Sequence, residues 1–249
     1  MRFRRPKKRT VWALAVALVF VISYQQLLWP GLREQIAIRK IEAIGGIVGT
    51  EEGGPAWLRN WVGDRWMSTF TRVTRVVLPF GADDDALKTV GTFAQLTDLS
   101  LEFAKPTDAG WSHLRGLRNL LNLDLTNAQF GDAALRHLKG LSRLQSLKLS
   151  NTDVTDAALP ALAEMKSLQS LQLGGTKITG AGRAQLKALS NLRFLKIDGT
   201  SSTVGPAGEL QNALPDCKIE WTGGFVLPDR SELVRQLEEE LRRELDEEE

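Results

Sequence analysis

The chain has 249 residues, of which 43% are hydrophobic and 25% charged, a composition that is ordinary for a globular protein with a sizeable core. The formal net charge of +2 hides a strong asymmetry. The first ten residues carry six basic side chains, whereas Asp229–Glu249 carries ten acidic residues against four arginines. The single cysteine, Cys217, excludes an intramolecular disulfide and does not identify the redox compartment. We interpret it as a small buried residue rather than a reactive thiol.

An apolar segment follows the basic N terminus. Val11–Trp29 contains no charged residue, and its 19 residues would extend about 28 Å as a helix, close to the hydrocarbon thickness of a bilayer. Because the basic residues precede it, the positive-inside rule keeps residues 1–10 in the cytoplasm. We therefore expect an uncleaved signal anchor of a single-pass membrane protein, with the C-terminal domain periplasmic or extracellular. The alternatives are a cleaved signal peptide, although no convincing A-x-A site follows, and a core helix of a soluble protein.

Residues 30–70 are predicted to form juxtamembrane helices and an N-terminal cap. Leu32–Ile44 has isoleucines near helical spacing and precedes two glycines that fit a C-cap, and the next two residues could form a short strand. Pro55 opens a second helix that is rich in tryptophan. Its tryptophans are Trp57, Trp61 and Trp66. We interpret these rings as covering the apolar end of the domain that follows; the alternative is a ligand-binding aromatic cluster.

The next segment repeats itself with a period of 24 residues. The motif Leu-x-x-Leu-x-Leu occurs five times without slippage, with isoleucine in the last position of the final copy. Its copies begin at Leu96, Leu120, Leu144, Leu168 and Leu192. A period of about 20–29 residues headed by this motif is the signature of leucine-rich repeats. Degraded copies at Val73, one residue short, and at Ile219 bring the predicted strands to seven.

Each repeat changes its periodicity half-way. Apolar and polar residues alternate in the first half, which predicts a strand, and apolar residues at spacings of three predict a short helix in the second. Between them, Thr or Asp in segments such as Thr107–Ala109 and Thr155–Ala157 predicts an N-cap. One repeat cannot fold alone, so the copies must stack. We predict an α/β leucine-rich-repeat solenoid, a horseshoe with its parallel sheet on the concave face.

Residues 223–249 are predicted to be a linker and an acidic C-terminal helix. Asp229 and Glu232 form a capping-box pattern, and leucines recur every four residues from Leu233. A four-residue spacing drifts around a helix rather than holding a coiled-coil seam. This helix could dock on the last repeat, bind a partner or oligomerise, or remain a solvated acidic tail.

The repeat, continued as Thr-x-x-Thr-Asp-Ala, resembles the 24-residue leucine-rich repeats of many bacterial proteins and is similar to the ribonuclease-inhibitor-like superfamily. The lead-in Ile41–Gly46 with Pro55–Leu58 resembles the segment before the repeats in membrane-anchored bacterial members, and Ala213–Trp221 resembles their last strand. The resemblance covers residues 41–221. It implies this fold and, only generically, protein–protein interaction, because such families share an architecture and not a ligand.

The sequence shows no convergent catalytic constellation. His113 and His137 occupy equivalent positions in consecutive repeats, but no cysteine or carboxylate ligand set accompanies them. Asp83–Asp85 lacks the pattern of a calcium loop and falls where the first repeat needs a cap. We therefore expect no enzyme activity, no metal or cofactor and no small-molecule substrate. Nucleic-acid binding is disfavoured because the basic residues cluster before the membrane segment.

The polar face of the predicted sheet is the candidate binding surface. Its side chains are small or charged, and Phe194 is the exception as a large aromatic. Formal charge drifts from acidic near Asp98 to basic near Arg193, so a complementary partner would be polarised the opposite way. The selected residues are Asp98, Ser100, Glu102, Asn122, Asp124, Lys148, Gln172, Arg193, Phe194 and Lys196. The alternative is a solvated face without a ligand.

These features predict a non-catalytic protein-binding module, displayed from a membrane through Val11–Trp29, with a protein partner of unknown identity. One alternative is a structural cell-envelope component that self-assembles through its C-terminal helix. Another is an adaptor or substrate-receptor subunit of an enzyme complex. The predicted organisation is a cytoplasmic tail 1–10, a signal anchor 11–29, the cap 30–70, a repeat domain 71–222 and the linker and helix 223–249.

Overall fold

The structure, a computed structural model, describes residues 29–51, 71–179, 182, 185–199, 207–221 and 224–226. Apart from its last residue, the predicted anchor lies outside the described residues, as do the tryptophan-rich segment and the acidic C-terminal helix. Among the helices that are described, none combines the length and the apolar character needed to cross a bilayer.

One sheet of nine described strands, arranged in chain order, organises the molecule. From β3 to β8, each strand pairs in parallel with the next at a register of 24 residues, so that Leu99 lies beside Leu123 and Leu123 beside Leu147. The strands are β1 Ile47–Glu51, β2 Arg72–Val77, β3 Asp98–Ser100, β4 Asn122–Asp124, β5 Ser146–Lys148, β6 Ser170–Gln172, β7 Phe194–Lys196, β8 Lys218–Trp221 and β9 Gly224–Val226. The constant register confirms the predicted parallel sheet. The chain folds as a leucine-rich-repeat solenoid.

The two ends of the sheet are antiparallel. β1 pairs with β2 through Ile47 and Val77, and β9 pairs with β8 through Val226 and Ile219. The sequence predicted only the first two residues of β1, and it predicted a connector where β9 lies. An exposed parallel strand leaves a row of unsatisfied backbone groups, and a short antiparallel strand satisfies them with little chain.

The helical halves of the repeats are shorter than a regular amphipathic helix. They are α2 Asp84–Val90, the 3₁₀ helix Gly110–Gly116, α3 Asp132–Leu135, the 3₁₀ helix Asp156–Ala158 with α4 Leu159–Ala163, and α5 Ala207–Ala213. With 24 residues per repeat, little chain is left for a helix after the strand and the two turns. The tighter 3₁₀ turn covers the core with fewer residues.

The core is continuous along the solenoid. The motif leucines at 96, 99 and 101 and their equivalents in later repeats have exposures of 3% or less. Trp111 is fully buried, packs edge-on against Phe130 with ring centroids 4.9 Å apart, and donates its indole N–H to the Gln129 carbonyl at 3.3 Å. The predicted helical stripe therefore faces the strands.

The N-terminal cap begins with α1, Trp29–Ala43. Pro30 lies in its first turn, where a missing backbone N–H costs nothing. Ala37, Ile38 and Ile41 are buried in the same core as the first repeat. This helix packs on the near end of the solenoid. The tryptophans that the sequence predicted to cover that end lie outside the described residues.

The predicted capping of the Thr-Asp-Ala segments is only partly right. The capping side chain comes from the residue before the aspartate. Asp83 accepts from the Ala86 N–H at 3.1 Å, and Thr155 Oγ1 accepts from the Ala157 N–H at 3.2 Å. The following aspartate begins the helical segment and is free to reach outward.

Those aspartates join one repeat to the next. Asp132 accepts hydrogen bonds from the Thr155 backbone N–H at 2.8 Å and from the Thr155 hydroxyl at 2.7 Å. The same pair of bonds joins Asp84 to Thr107 and Asp156 to Thr179. We call these three bonded pairs the aspartate–threonine ladder. After Asp108 the equivalent position is Gly131, which has no hydroxyl, and this pair of bonds is not formed between these two residues.

Cys217, immediately before β8, is fully buried, as the sequence predicted. Burial raises the pKa of its thiol to about 11, and Arg193 opposes this only in part. The thiolate is therefore scarce at neutral pH.

We expect the native chain to react slowly with a thiol reagent such as DTNB at pH 8 and quickly after denaturation. A Ser142→Cys variant, with its new thiol at an exposed position, is the control and should react at once. Equal native and denatured rates for Cys217 would contradict the buried assignment.

Candidate functional site

The side chains opposite the core form two regular rows, which we call the open sheet face. Strand alternation places every second residue on this face, and the register aligns the strands. One row is Arg75, Asp98, Asn122, Ser146, Ser170, Phe194 and Lys218, and the other is Val77, Ser100, Asp124, Lys148, Gln172, Lys196 and Glu220. The face thus brings most of the predicted site residues onto one surface.

In the middle of this face the charges are paired. Lys148 Nζ lies 2.7 Å from Asp124 Oδ2, and the Thr126 hydroxyl and backbone N–H donate to Asp124 Oδ1 at 2.6 and 3.0 Å. Partial burial of Asp124 opposes its ionisation, but the bonds from Lys148 and Thr126 outweigh burial and hold the pKa of this carboxyl below its usual value. The pair is a structural element of the face.

The predicted basic end of the face carries matching carboxylates. Arg193 Nη1 lies 2.8 Å from Asp216, and Lys196 Nζ lies 3.2 Å from Asp198. Lys218 donates to Glu220 at 2.7 Å and lowers the pKa of that carboxyl. The drift in formal charge predicted from the sequence is therefore compensated locally, because the carboxylates come from positions outside the selected set.

The N-terminal half of the face holds a groove of about 360 Å³. Its lining includes Arg75, Val77, Asp98, Ser100, Asn122 and Lys148. Asp98 is held in place by hydrogen bonds of 2.7 Å from the Thr97 hydroxyl and the Asn122 amide. The groove mixes both charges with apolar surface at Val77. Ile47, which pairs with Val77 on the neighbouring strand, is exposed outside the groove.

An exposed aromatic pair follows the first two strands that line this groove. Phe80 and Phe103 follow β2 and β3, each three residues after a groove residue, and their ring centroids are 5.0 Å apart. They are 71% and 39% exposed. Lys105 Nζ lies 5.7 Å from the Phe80 ring centre. We call Phe80, Phe103 and Lys105 the aromatic rim. None of these three residues is among those selected from the sequence.

Phe103 occupies a backbone conformation that disfavours phenylalanine. Its φ is 57°, in the left-handed region, and the equivalent residues one to four repeats later have φ between 56° and 69°. Those residues are Asn127, Asn151, Gly175 and Gly199. Asparagine and glycine tolerate this conformation, whereas a bulky side chain there costs of order 1–3 kcal/mol. Phe103 is therefore an exposed aromatic residue in a backbone conformation that disfavours it.

The predicted site residues fall into two groups. Asp98, Ser100, Asn122, Asp124 and Lys148 line the groove, while Glu102 is exposed just beyond it, next to the aromatic rim. The second group lies further along the face, beyond the groove. It comprises Gln172, Arg193, Phe194 and Lys196. Phe194 is only partly exposed, and Lys218 Nζ lies 5.8 Å from its ring centre.

Among the described residues, no group of three or more His, Cys, Asp or Glu side chains could hold a metal ion. His113 is exposed and His137 half-buried. Burial, aided by Arg115, lowers the pKa of the His137 imidazole, so this residue is neutral at neutral pH. The described residues thus offer surface and groove rather than a metal centre.

No protein-family model matches the chain, and no curated protein sequence matches it. Among solved structures, internalin C2 from Listeria monocytogenes is 20% identical, with a TM-score of 0.43, over 61% of this chain and 75% of that one. The assignment of the fold rests on the chain's own repeat and sheet register.

Proposed function

We propose that this chain is a non-catalytic protein-binding module whose contact surface is centred on the aromatic rim and the adjoining groove. The observation that carries the proposal is the exposed Phe80–Phe103 pair, in which Phe103 keeps a strained backbone conformation. Large aromatic side chains dominate the energy of protein interfaces, and a neighbouring groove with fixed polar groups supplies specificity.

The proposal moves the expected centre of binding along the sheet. The sequence selected residues along the whole face, with Phe194 as its large aromatic, but at that end Arg193 and Lys196 are ion-paired and Phe194 is only partly exposed. Separating an exposed ion pair yields little net binding energy. The rim offers more apolar area to a partner, at Phe80 above all.

We further propose that the module is displayed outside the cytoplasmic membrane by an uncleaved anchor, Val11–Trp29. The support is the sequence of that segment, uncharged over its whole length and preceded by six basic residues. A single-pass anchor would leave the open sheet face available to exported or cell-surface proteins.

Site-specific photocrosslinking in the native host tests the proposal. A benzoylphenylalanine at Phe80 is expected to give a discrete protein adduct under ultraviolet light, and one at exposed Ser142, in the repeat body, should give none. Phe103→Asn in the Phe80-labelled chain should lower adduct yield about tenfold or more, because an aromatic anchor typically contributes about 2 kcal/mol.

The matched control is Phe194→Ser, which introduces the residue found at the equivalent positions 146 and 170. Asparagine suits the left-handed backbone, so Phe103→Asn should leave the free energy of unfolding within about 1 kcal/mol of the wild type. Loss of the adduct by Phe194→Ser but not by Phe103→Asn would return the site to the far end of the face. Adducts from Ser142 alone would reject the open sheet face.

A further inference from the structure

Helix α1 has a buried side and an outward side with different chemistry. Ala37, Ile38 and Ile41 pack into the core. At about 100° per residue, Leu32, Ile36, Arg39 and Ala43 fall within an arc of about 60° on the opposite side. All four are exposed, Leu32 by 38% and Ile36 by 59%. Leu32 and Ile36 therefore place apolar surface on the outward side of α1.

The outward side joins apolar side chains to basic ones. Arg39 lies at one edge of the arc, next to Leu32, and Lys40 is exposed just beyond Ile36 at the other edge. The acidic Glu42 lies outside the arc, on the side of Arg39. Apolar residues flanked by long basic side chains suit the boundary of an anionic bilayer, where the apolar groups enter and the cations reach the headgroups.

The position of α1 in the chain favours lipid, and not another protein, as the surface that its outward side contacts. The helix begins at Trp29, the last residue of the proposed anchor, so no linker separates the two. Leu32 is only three residues from the end of the anchor, so the chain holds the start of α1 beside the bilayer. The face is also too small for a stable dimer, which buries about 800 Å² on each partner. A surface already held beside the bilayer needs no such area.

We propose that the outward face of α1, formed by Leu32, Ile36, Arg39 and Ala43, lies on the surface of an anionic bilayer and holds the solenoid against the membrane. This inference depends on the anchor in the proposed function. It adds that the repeat domain is held in a fixed position on the membrane surface and is not joined to the anchor by a flexible linker.

Nitroxide accessibility in reconstituted vesicles tests it. The full-length chain carries Leu32→Cys, Ile36→Cys or, as the control, Ser142→Cys, and is spin-labelled and placed in vesicles of phosphatidylcholine and phosphatidylglycerol. The wild type, whose Cys217 is buried, measures background labelling. Labels at 32 and 36 are expected to lose most of their accessibility to a water-soluble nickel chelate and to remain accessible to oxygen, while the label at 142 stays in water.

A charge variant supplies a second measurement. In the double variant Arg39→Gln and Lys40→Gln, the accessibility of the label at 36 to the nickel chelate should rise by up to about fivefold per removed charge. The reason is that each basic residue near an anionic surface contributes on the order of 1 kcal/mol to binding that surface. Both positions are exposed, so the fold should be retained. An unchanged label would overturn the assignment to an anionic surface.

The remaining outcomes distinguish failure of the lipid contact from failure of the proposed anchor. Labels at 32 and 36 that stay in water, in a chain that resists alkaline extraction from vesicles, would overturn the inference and leave the anchor intact. Spin–spin broadening between labels at 36 would place a second copy on this face and also overturn it. A wild-type chain that alkaline treatment releases would reject the anchor, and the lipid contact with it.

Discussion

Replacing Trp111 with alanine is expected to lower the free energy of unfolding by about 3–5 kcal/mol. Trp111 is fully buried, packs edge-on against Phe130, and donates its indole N–H to the Gln129 carbonyl. Truncation leaves a cavity in the first full repeat and removes a contact to the second. Because each repeat of a solenoid is stable only when packed against its neighbours, the lost packing should destabilise the adjacent repeats as well.

Chemical denaturation of the purified full chain, followed by circular dichroism, measures this change. Trp111→Leu is the control, because leucine occupies the equivalent positions 135 and 159. It should cost roughly half as much, since it fills part of the cavity but leaves the indole volume vacant. A loss below about 1 kcal/mol for alanine would show that the site collapses or that Trp111 packs loosely.

Replacing Asp132 with alanine is expected to cost about 2 kcal/mol. Its carboxylate accepts two hydrogen bonds from Thr155 in the next repeat, and one of these satisfies a backbone N–H in a partly buried position. Bonds to a charged group contribute more than neutral ones, and removal of the acceptor leaves the backbone donor without a protein partner.

Asp108→Ala is the matched control for this prediction. Asp108 occupies the same repeat position, but the following repeat offers Gly131 in place of threonine. Its removal should change the free energy of unfolding by no more than about 0.5 kcal/mol. Similar losses for both variants would mean that the aspartates act on their own helical segments, as the sequence suggested, rather than on the next repeat.

Much of the architecture could be predicted because the repeat is regular. A fixed spacing of 24 residues places Leu99, Leu123 and Leu147 side by side in any stacked arrangement, and alternation within each strand decides which residues face the core. The period therefore predicted seven parallel strands, the buried leucines and the small buried Cys217. Hydrophobic burial at a constant period leaves few alternatives.

The candidate site was harder to predict, because it depends on where the repeat becomes irregular. Phe80 follows a first repeat that is one residue short, so counting by 24 from the full repeats does not align it with Phe103. Phe103 occupies a position whose left-handed backbone is visible in the sequence only through its asparagine and glycine equivalents. That pattern was the available signal, since one bulky residue interrupts a series that otherwise tolerates positive φ.

By itself, the sequence determined the solenoid, the order of its strands and the face that each strand residue occupies, because these follow from periodic burial of apolar side chains. The tertiary structure alone decided how charges and polar groups pair across repeats. Lys148 neutralises Asp124, Asp216 neutralises Arg193, and Asp132 binds Thr155. The repeat period determines which positions lie side by side in neighbouring repeats. Whether two such side chains form a hydrogen bond or an ion pair depends on the distance and direction between them, and these are defined only once the repeats are stacked.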